Sequence, residues 1–162
     1  MTQLGFLRDI MEKTGECQNS YWVDFYKKTS PEKVPSSFCT FICEKYDLKE
    51  KKVLELCSGN GRDTYYLAKH SEKITAVDYA VQPKDIDNTT FIKSEICSFL
   101  NRVDPGDYDA TYCRFGLHSM DEASEDVVLD FSRLIFFEFR SDKDDSFIND
   151  HYRRTINGNI FL

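Results

Sequence analysis

Long apolar runs are missing from this sequence of 162 residues. No stretch approaches the roughly 20 apolar residues that a membrane-spanning helix needs. The first residues, MTQLGFLRDIMEKTGE, carry charges at positions 8, 9, 12 and 13, so they lack the apolar core of a secretory signal peptide. We therefore expect a cytoplasmic protein without a membrane partner, built as one domain around one core.

Metal-binding cysteine spacings are also missing, although the chain has six cysteines. No C-x-x-C occurs, and no histidine lies near Cys39 and Cys43, the most closely spaced pair. The sequence therefore gives no support for zinc, and we expect no metal. A chain with 41% hydrophobic residues does not need a disulfide framework, so the thiols are expected to be reduced and mostly buried.

Positive charge is scarce, and the net charge is −7. Between Asp104 and Asp150 the sequence has 13 acidic and 4 basic residues, which gives a local net charge of −9. Such a surface repels a phosphate backbone. Nucleic acid is therefore not an expected partner.

What the sequence does contain is an alternation of short apolar strands and amphipathic helices. Helical spacing begins at the N-terminus, continues from Ser20 and resumes after Pro35. Five strands are predicted at Val53–Cys57, Ile74–Asp78, Thr90–Lys93, Tyr108–Arg114 and Ile135–Phe139. Helices are predicted between them at Arg62–Ser71, at Ile96–Val103 and from Asp121 onward. This order predicts an α/β fold with a doubly wound, mainly parallel sheet and N-terminal helices.

The segment VLELCSGNGRDTYYLAKH, residues 53–70, places a glycine turn between a strand and a helix. In a parallel sheet such a turn lies at the carboxyl ends of the strands, where ligands bind. Gly59 and Gly61 let the backbone turn sharply and let a ligand come close. The first N–H groups of the following helix would face that ligand. A lone G-x-G is equally typical of a plain strand-to-helix turn.

Acidic residues after the next two predicted strands favour a nucleotide-like cofactor. Asp78 ends the second strand, 19 residues after Gly59, where a carboxylate accepts hydrogen bonds from a ribose diol. Glu95 follows the third strand, from which it would reach an adenine amino group. Both positions lie on the same side of the predicted sheet as the glycine turn.

The turn favours S-adenosylmethionine over a dinucleotide. The dinucleotide fingerprint requires a glycine or alanine where this chain has Thr64. Glu55, inside the first strand, would repel a pyrophosphate but attract an ammonium group. S-adenosylmethionine carries an ammonium and a sulfonium and has no phosphate, so the charges of this segment suit it better.

The segments VLELCSGNGRDTYYLA and ITAVDYA resemble the first two motifs of S-adenosylmethionine-dependent methyltransferases with a Rossmann-like fold. The resemblance covers residues 36 to 140 and implies methyl transfer, with S-adenosylhomocysteine as product. The sequence departs from the family's pattern, acid-x-G-x-G-x-G, at Cys57, which stands in place of the first glycine. Gly59 and Gly61 are kept.

The resemblance also implies which residues contact the cofactor. Glu55 and Gly59 would border its methionine part, Asp78 its ribose, and Tyr79 and Glu95 its adenine. The expected cofactor-binding residues are Tyr21, Tyr26, Glu55, Cys57, Ser58, Gly59, Gly61, Asp63, Asp78, Tyr79, Glu95, Ile96, Cys113 and Arg114.

The segment YWVDFYKK resembles the part that covers the cofactor in many small-molecule methyltransferases. Tyr21 and Tyr26 would hydrogen-bond the carboxylate of the cofactor, although a helix that simply docks Trp22 on the core explains the same pattern. We therefore divide the chain into a helical cover at residues 1–35, a cofactor-binding core at residues 36–140 and a substrate-side segment at residues 141–162.

The catalytic and substrate residues are predicted from the second half of the chain. His118 follows the fourth strand and is the expected base, because a neutral imidazole accepts a proton near pH 7. His151, Tyr152, Arg153 and Arg154 are expected to hold a small acceptor that is anionic or saccharide-linked. The order of FGLHSMDE, FFEFR and HYRR resembles methyltransferases that act on surface-polysaccharide intermediates.

The predicted sheet has five strands, whereas this family normally has seven. We therefore expect either a shortened chain or a compact variant, with the unpaired edge of Ile135–Phe139 forming a homo-oligomer. Two other functions remain open at this point. One is a protein that binds S-adenosylmethionine without transferring the methyl group, and the other is a nicotinamide-dependent oxidoreductase.

Overall fold

A computed structural model of the chain describes residues 22–29, 34–117, 120–131 and 133–139, together with the backbone of residues 155–156 and 159–160. Within this part the central sheet has five parallel strands in the order β3-β2-β1-β4-β5. They are β1 (Lys52–Leu56), β2 (Lys73–Asp78), β3 (Thr89–Lys93), β4 (Ala110–Arg114) and β5 (Ile135–Glu138). The order reverses between β1 and β4, so the switch point lies where β1 ends. The predicted doubly wound parallel sheet is confirmed.

The helices alternate with these strands. They are α1 at residues 22–28, α2 (Ser37–Lys45), α3 (Thr64–Leu67), α4 (Ile96–Leu100) and α5 (Glu122–Phe131), with a 3₁₀ turn at Pro105–Asp107. Two further strands, β6 (Thr155–Ile156) and β7 (Asn159–Ile160), form a separate antiparallel pair. No helix in the described residues is both long and apolar enough to cross a membrane. The division into cover, core and substrate-side segment stays a prediction.

The helix after the glycine turn is shorter than predicted. Its last turn tightens, because Lys69 N donates to Tyr66 O at 3.1 Å and His70 N donates to Leu67 O at 2.9 Å, both to the third preceding residue. The strand β4 likewise begins at Ala110 rather than at Tyr108, since the 3₁₀ turn ahead of it occupies the chain up to Asp107.

Both faces of the sheet are buried, and β1 supplies side chains to each. Val53 belongs to a core cluster with Cys39, Leu67 and Tyr112 beneath α2 and α3. Leu54 and Leu56 belong to a second cluster, with α4 and α5, on the opposite face. Side chains alternate along a strand, so Glu55 points to the same face as Val53. Glu55 is thus an acidic residue among the buried apolar residues Val53, Leu54 and Leu56 of β1.

Candidate cofactor site

The glycine turn at the end of β1 is built from left-handed backbone. Gly59 has φ +56° and Gly61 has φ +87°, which side chains rarely tolerate. Ser58 N donates to Val77 O at 3.2 Å, and Gly61 N donates to Ser58 O at 3.1 Å. The turn is therefore tied to the end of β2 and closed on itself.

Cys57 adopts φ +57°, so the position where the family pattern has glycine is left-handed here as well. Such a conformation costs a non-glycine residue roughly 1–2 kcal/mol. A Cβ added to Gly116 would lie 2.5 Å from Cys57 Sγ and 2.8 Å from Cys113 Sγ. The Cys57 side chain therefore fills the space that Gly116 leaves. A hydrogen bond with Cys113, followed by burial, raises the pKa of the Cys57 thiol.

A second strained residue lies at the end of the neighbouring strand. Phe115, directly after β4, has φ +55°. The preceding Arg114 turns its side chain to Glu138, with Nε 2.5 Å from Oε2, and its guanidinium lies 4.2 Å from the centre of the Phe115 ring. Strained backbone at the ends of two adjoining strands is typical of ligand sites.

Asp78 lies at the end of β2 beside this turn. Its Oδ2 accepts from Gly59 N at 2.8 Å, and its Oδ1 accepts from Ala80 N at 2.7 Å and from Val81 N at 3.3 Å. Burial raises the pKa of this carboxyl, and the three backbone donors partly offset that rise. Asp78 thus joins the glycine turn to the loop after β2, at the position predicted for ribose binding.

The Glu55 side chain is buried, with only 3% of the residue exposed, and its hydrogen-bonding capacity is not fully used. Burial raises the pKa of its carboxyl well above the ordinary value, and the negative charges of Asp63 and Asp78 add to the rise. Its Oε2 has no hydrogen-bond partner among the described residues. The carboxyl therefore favours its neutral form until a cation or a donor comes within reach.

Three buried polar atoms of the turn region lack a hydrogen-bond partner in the described part of the chain. They are Glu55 Oε2, Ser58 Oγ and Thr64 Oγ1. Buried polar atoms are nearly always hydrogen-bonded, so each unsatisfied one requires an explanation. A carboxylate and hydroxyls can accept from an ammonium group and from ribose hydroxyls. The residues present therefore fit S-adenosylmethionine in chemical type.

Tyr26 on α1 lies directly over the turn. A Cβ on Gly59 would clash with the Tyr26 hydroxyl and ring. Burial, with a smaller contribution from the negative charge of Asp78, raises the pKa of this phenol. The structure thus brings Tyr26 to the glycine turn, and its bond to a cofactor carboxylate stays a prediction.

Three further residues predicted to bind the cofactor, Glu95, Ile96 and Tyr79, differ in their contacts and exposure. Glu95 is the N-cap of α4, where Oε1 accepts from Cys97 N at 2.9 Å and Oε2 accepts from Ser98 N at 2.7 Å. Ile96 is buried in the core, whereas Tyr79 is 41% exposed beside Asp78. The contacts of Glu95 and Tyr79 with adenine, and of Ile96 with the cofactor, stay predictions. An acceptor side chain directly before a helix is the local sequence signal for this N-cap role.

Asp63 was predicted as a cofactor ligand, and the structure places it beneath the turn. Its Oδ1 accepts from Ser36 N at 2.7 Å, while its Oδ2 accepts from Ser36 Oγ and from the Tyr112 hydroxyl, both at 2.7 Å. Ser36 and Tyr112 were not identified from the sequence. Ser36 precedes α2 as its N-cap, which is a recognisable local signal. No local sequence signal indicates that Tyr112, 49 residues further along the chain, donates to Asp63.

The remaining predicted residues lie outside the described part of the chain. They are Tyr21, His118, His151, Tyr152, Arg153 and Arg154. The predicted base and acceptor-binding residues therefore stay predictions. In the ranges that the structure describes, no group of three or more His, Cys, Asp or Glu side chains could hold a metal ion.

Comparison with known proteins finds similarity in structure but not in sequence. No protein-family model matches the chain, and no curated protein matches it significantly. Phosphoethanolamine N-methyltransferase 1 of Haemonchus contortus, solved with phosphoethanolamine and S-adenosylhomocysteine, is 14% identical with a TM-score of 0.56, over 72% of this chain and 28% of that one. The bifunctional kinase-methyltransferase WbdD is 15% identical with a TM-score of 0.55, over 77% of this chain and 37% of that one.

A third structure, the complex of DhpI with SAM and HEP, is 18% identical with a TM-score of 0.55, over 90% of this chain and 78% of that one. The chain thus spans well under half the length of the first two structures. At such identities the likeness is one of fold. Together with the strand order and the glycine turn after β1, it shows that this chain has the Rossmann-like fold of the S-adenosylmethionine-dependent methyltransferases.

Proposed function

We propose that the protein is an S-adenosylmethionine-dependent methyltransferase. The observation that carries this proposal is the pair of buried carboxyls beside Gly59, namely Glu55 and Asp78. One oxygen of Glu55 has no partner among the described residues, while Asp78 holds the turn itself. Glu55 would bind the ammonium group of the cofactor, and Asp78 would accept from its ribose hydroxyls.

A nicotinamide dinucleotide suits this arrangement less well. The charge of Asp78 would repel a pyrophosphate in a region of low dielectric constant, and a neutral Glu55 would gain no attraction from one. The two buried carboxyls thus favour a cationic ligand over a dianionic one.

Bound S-adenosylmethionine supplies a methyl group activated by a sulfonium. The protein would then align that methyl group with an acceptor and exclude water from the site. The turn and Asp78 would fix the cofactor, and α1 with Tyr26 would cover the methionine end. His118, which follows β4 in the sequence, would remove a proton from an oxygen acceptor.

We propose further that the acceptor is small and carries an anionic or saccharide group. One structural neighbour was solved with phosphoethanolamine, an anionic small molecule. The adjacent Arg153 and Arg154 in an otherwise acidic region suit a phosphate or a sugar acid. Both observations concern the class of acceptor and not its identity.

Isothermal titration calorimetry with S-adenosylmethionine, S-adenosylhomocysteine and NAD tests the cofactor. We expect heat from the first two and none from NAD. Binding of NAD alone would overturn the proposal in favour of a dehydrogenase. Turnover is then measured as S-adenosylhomocysteine formed with a panel of phosphorylated amines, sugar phosphates and sugar acids. Binding without turnover on any panel member would leave a cofactor-binding protein and refute the transferase.

A further inference from the structure

Asp63 has an unusual set of contacts for a residue two positions after Gly61. It is 5% exposed, and its two oxygens accept from Ser36 N, Ser36 Oγ and the Tyr112 hydroxyl, each at 2.7 Å. A carboxylate has about four acceptor sites, so most of its capacity is used inside the protein. The carboxylate is therefore held in place, because moving it would break several hydrogen bonds at once.

These bonds join three elements that are distant in sequence. Ser36 caps α2 by accepting from Cys39 N at 3.1 Å, and Tyr112 lies within β4 with its ring stacked on Phe38 at a centroid distance of 5.4 Å. A second bond next to Asp63 reinforces the connection, since Arg62 Nε donates to Val34 O. The glycine turn is therefore fastened both to the start of α2 and to the strand beside β1.

We propose that Asp63 is a positioning residue, which holds the glycine turn in its cofactor-binding shape through Ser36 and Tyr112 without touching the cofactor. This inference rests on the proposed function. It replaces a direct cofactor contact of Asp63 with an indirect one. It also gives Ser36 and Tyr112, which lie outside the glycine motif, a part in cofactor affinity.

The substitution Tyr112→Phe removes only the hydroxyl that donates to Asp63 and keeps the ring on Phe38. The matched control is Tyr108→Phe, which removes the same group just ahead of β4, where the hydroxyl bonds Thr75. We expect the dissociation constant for S-adenosylhomocysteine to rise about tenfold in Tyr112→Phe and to change less than about twofold in Tyr108→Phe. Equal affinities of the folded variants would overturn the proposal.

Two substitutions of Asp63 separate an indirect role from a direct one. Asparagine keeps an oxygen for Ser36 N and an amide that can donate to Ser36 Oγ or to Tyr112. We therefore expect Asp63→Asn to stay within about threefold of the parent affinity, and Asp63→Ala to lose more than about tenfold. If Asp63→Asn binds as weakly as Asp63→Ala, the charge acts on the ligand itself and the positioning role is wrong.

A measurement without ligand keeps this test independent of the proposed function. Amide hydrogen exchange of Ser36 and Gly61 reports the anchor and the turn directly. We expect faster exchange at both amides in Tyr112→Phe and parent-like exchange in Tyr108→Phe. Unchanged exchange in Tyr112→Phe would overturn the anchor. A parent protein that fails to bind S-adenosylhomocysteine would refute the proposed function while leaving the anchor to this measurement.

Discussion

At the scale of single residues, the buried Glu55 lowers the stability of the ligand-free protein and is also the residue proposed to bind the ammonium group of the cofactor. Burial raises the pKa of its carboxyl above the ordinary value of 4.5, so between that value and the raised one the folded chain keeps a proton that the unfolded chain has lost. The free energy of unfolding therefore falls as pH rises through this window. Glu55 thus lowers the free energy of unfolding of the ligand-free protein at neutral pH. Binding of a cationic ligand would explain why an acidic residue occupies this buried position.

The first prediction concerns Glu55→Gln. We expect the ligand-free variant to lose less stability than the parent as pH rises from 5 to 8, because no proton is exchanged at this position. Its affinity for S-adenosylhomocysteine should fall by about tenfold or more, since an amide attracts an ammonium less than a carboxylate does. Urea unfolding at both pH values and calorimetry measure these effects. The exposed Glu72→Gln serves as control, and an equal pH slope in parent and Glu55→Gln would contradict the assignment.

The second prediction concerns Asp78→Ala, which should weaken S-adenosylhomocysteine binding roughly ten- to hundredfold. The reason is the loss of charge-assisted hydrogen bonding to the ribose hydroxyls, worth about 1.5–3 kcal/mol in all. Stability should fall too, because Gly59 N and Ala80 N lose their acceptor. The control is Asp109→Ala, which removes a carboxylate that accepts from Lys52 N, at a distance of 2.8 Å, at the opposite end of β1. Unchanged affinity in folded Asp78→Ala would remove it from the ribose role.

The third prediction tests the fit between Cys57 and Gly116. Gly116→Ala alone should destabilise the fold by about 1–3 kcal/mol, because its Cβ would meet Cys57 Sγ at 2.5 Å. In a Cys57→Gly background the same change should cost clearly less, since the Sγ is gone and the left-handed φ suits glycine. Urea unfolding of the four proteins gives the coupling energy. Additive changes would show that the two positions do not share one space.

At the scale of elements, the strands β1, β2 and β4 that carry the site are paired on both sides, whereas the helices beside it are short. The helix α3 has four residues and α4 has five, so neither is stable by its own hydrogen bonds. Their placement depends on side chains that link them to their surroundings. Asp63 does this at the start of α3, whereas Glu95 caps the first turn of α4 itself.

The fourth prediction follows from the N-cap of α4. Glu95→Ala should lower the free energy of unfolding by about 1 kcal/mol, because Cys97 N and Ser98 N lose their acceptor. Glu95→Asp should retain most of that stability, since aspartate is a good N-cap. Thermal unfolding of the three proteins checks the cap. If Glu95→Ala unfolds at the parent temperature, the cap contributes nothing, and a selective loss of S-adenosylhomocysteine affinity would then point to the predicted adenine contact.

At the scale of the whole molecule, the two edges of the sheet differ. The outer edge of β3 is covered near Phe91, whose N donates to Asp85 Oδ1 and whose O accepts from Gln82 Nε2 at 3.0 Å. In the described part of the chain β5 pairs with β4 alone. Its sequence IFFE carries one charge, and exposed strand edges of this kind pair with other chains.

The fifth prediction is that the 162-residue chain forms a homodimer or a larger assembly. We propose the outer edge of β5 as the contact, because an added strand would satisfy its backbone groups. Light scattering over a dilution series measures the mass, and Phe139→Lys, at an exposed position directly after β5, should shift it toward one chain. Lys substitution at Ile86, an exposed residue at the other end of the sheet, is the control. A mass of one chain at every concentration would rule the assembly out.

The sequence by itself determined the central strand, the glycine turn and the position of Asp78. Each depends on a short pattern: an apolar run, a G-x-G and an acid at the end of the next strand. Only the tertiary structure decided that Asp63 meets Ser36 and Tyr112, 27 and 49 residues away, and that Cys57 fills the space beside Gly116. It also decided that Tyr26 lies on Gly59. The physical reason is that a local pattern sets the conformation of its own segment, whereas contacts between distant segments depend on how the sheet and its helices pack.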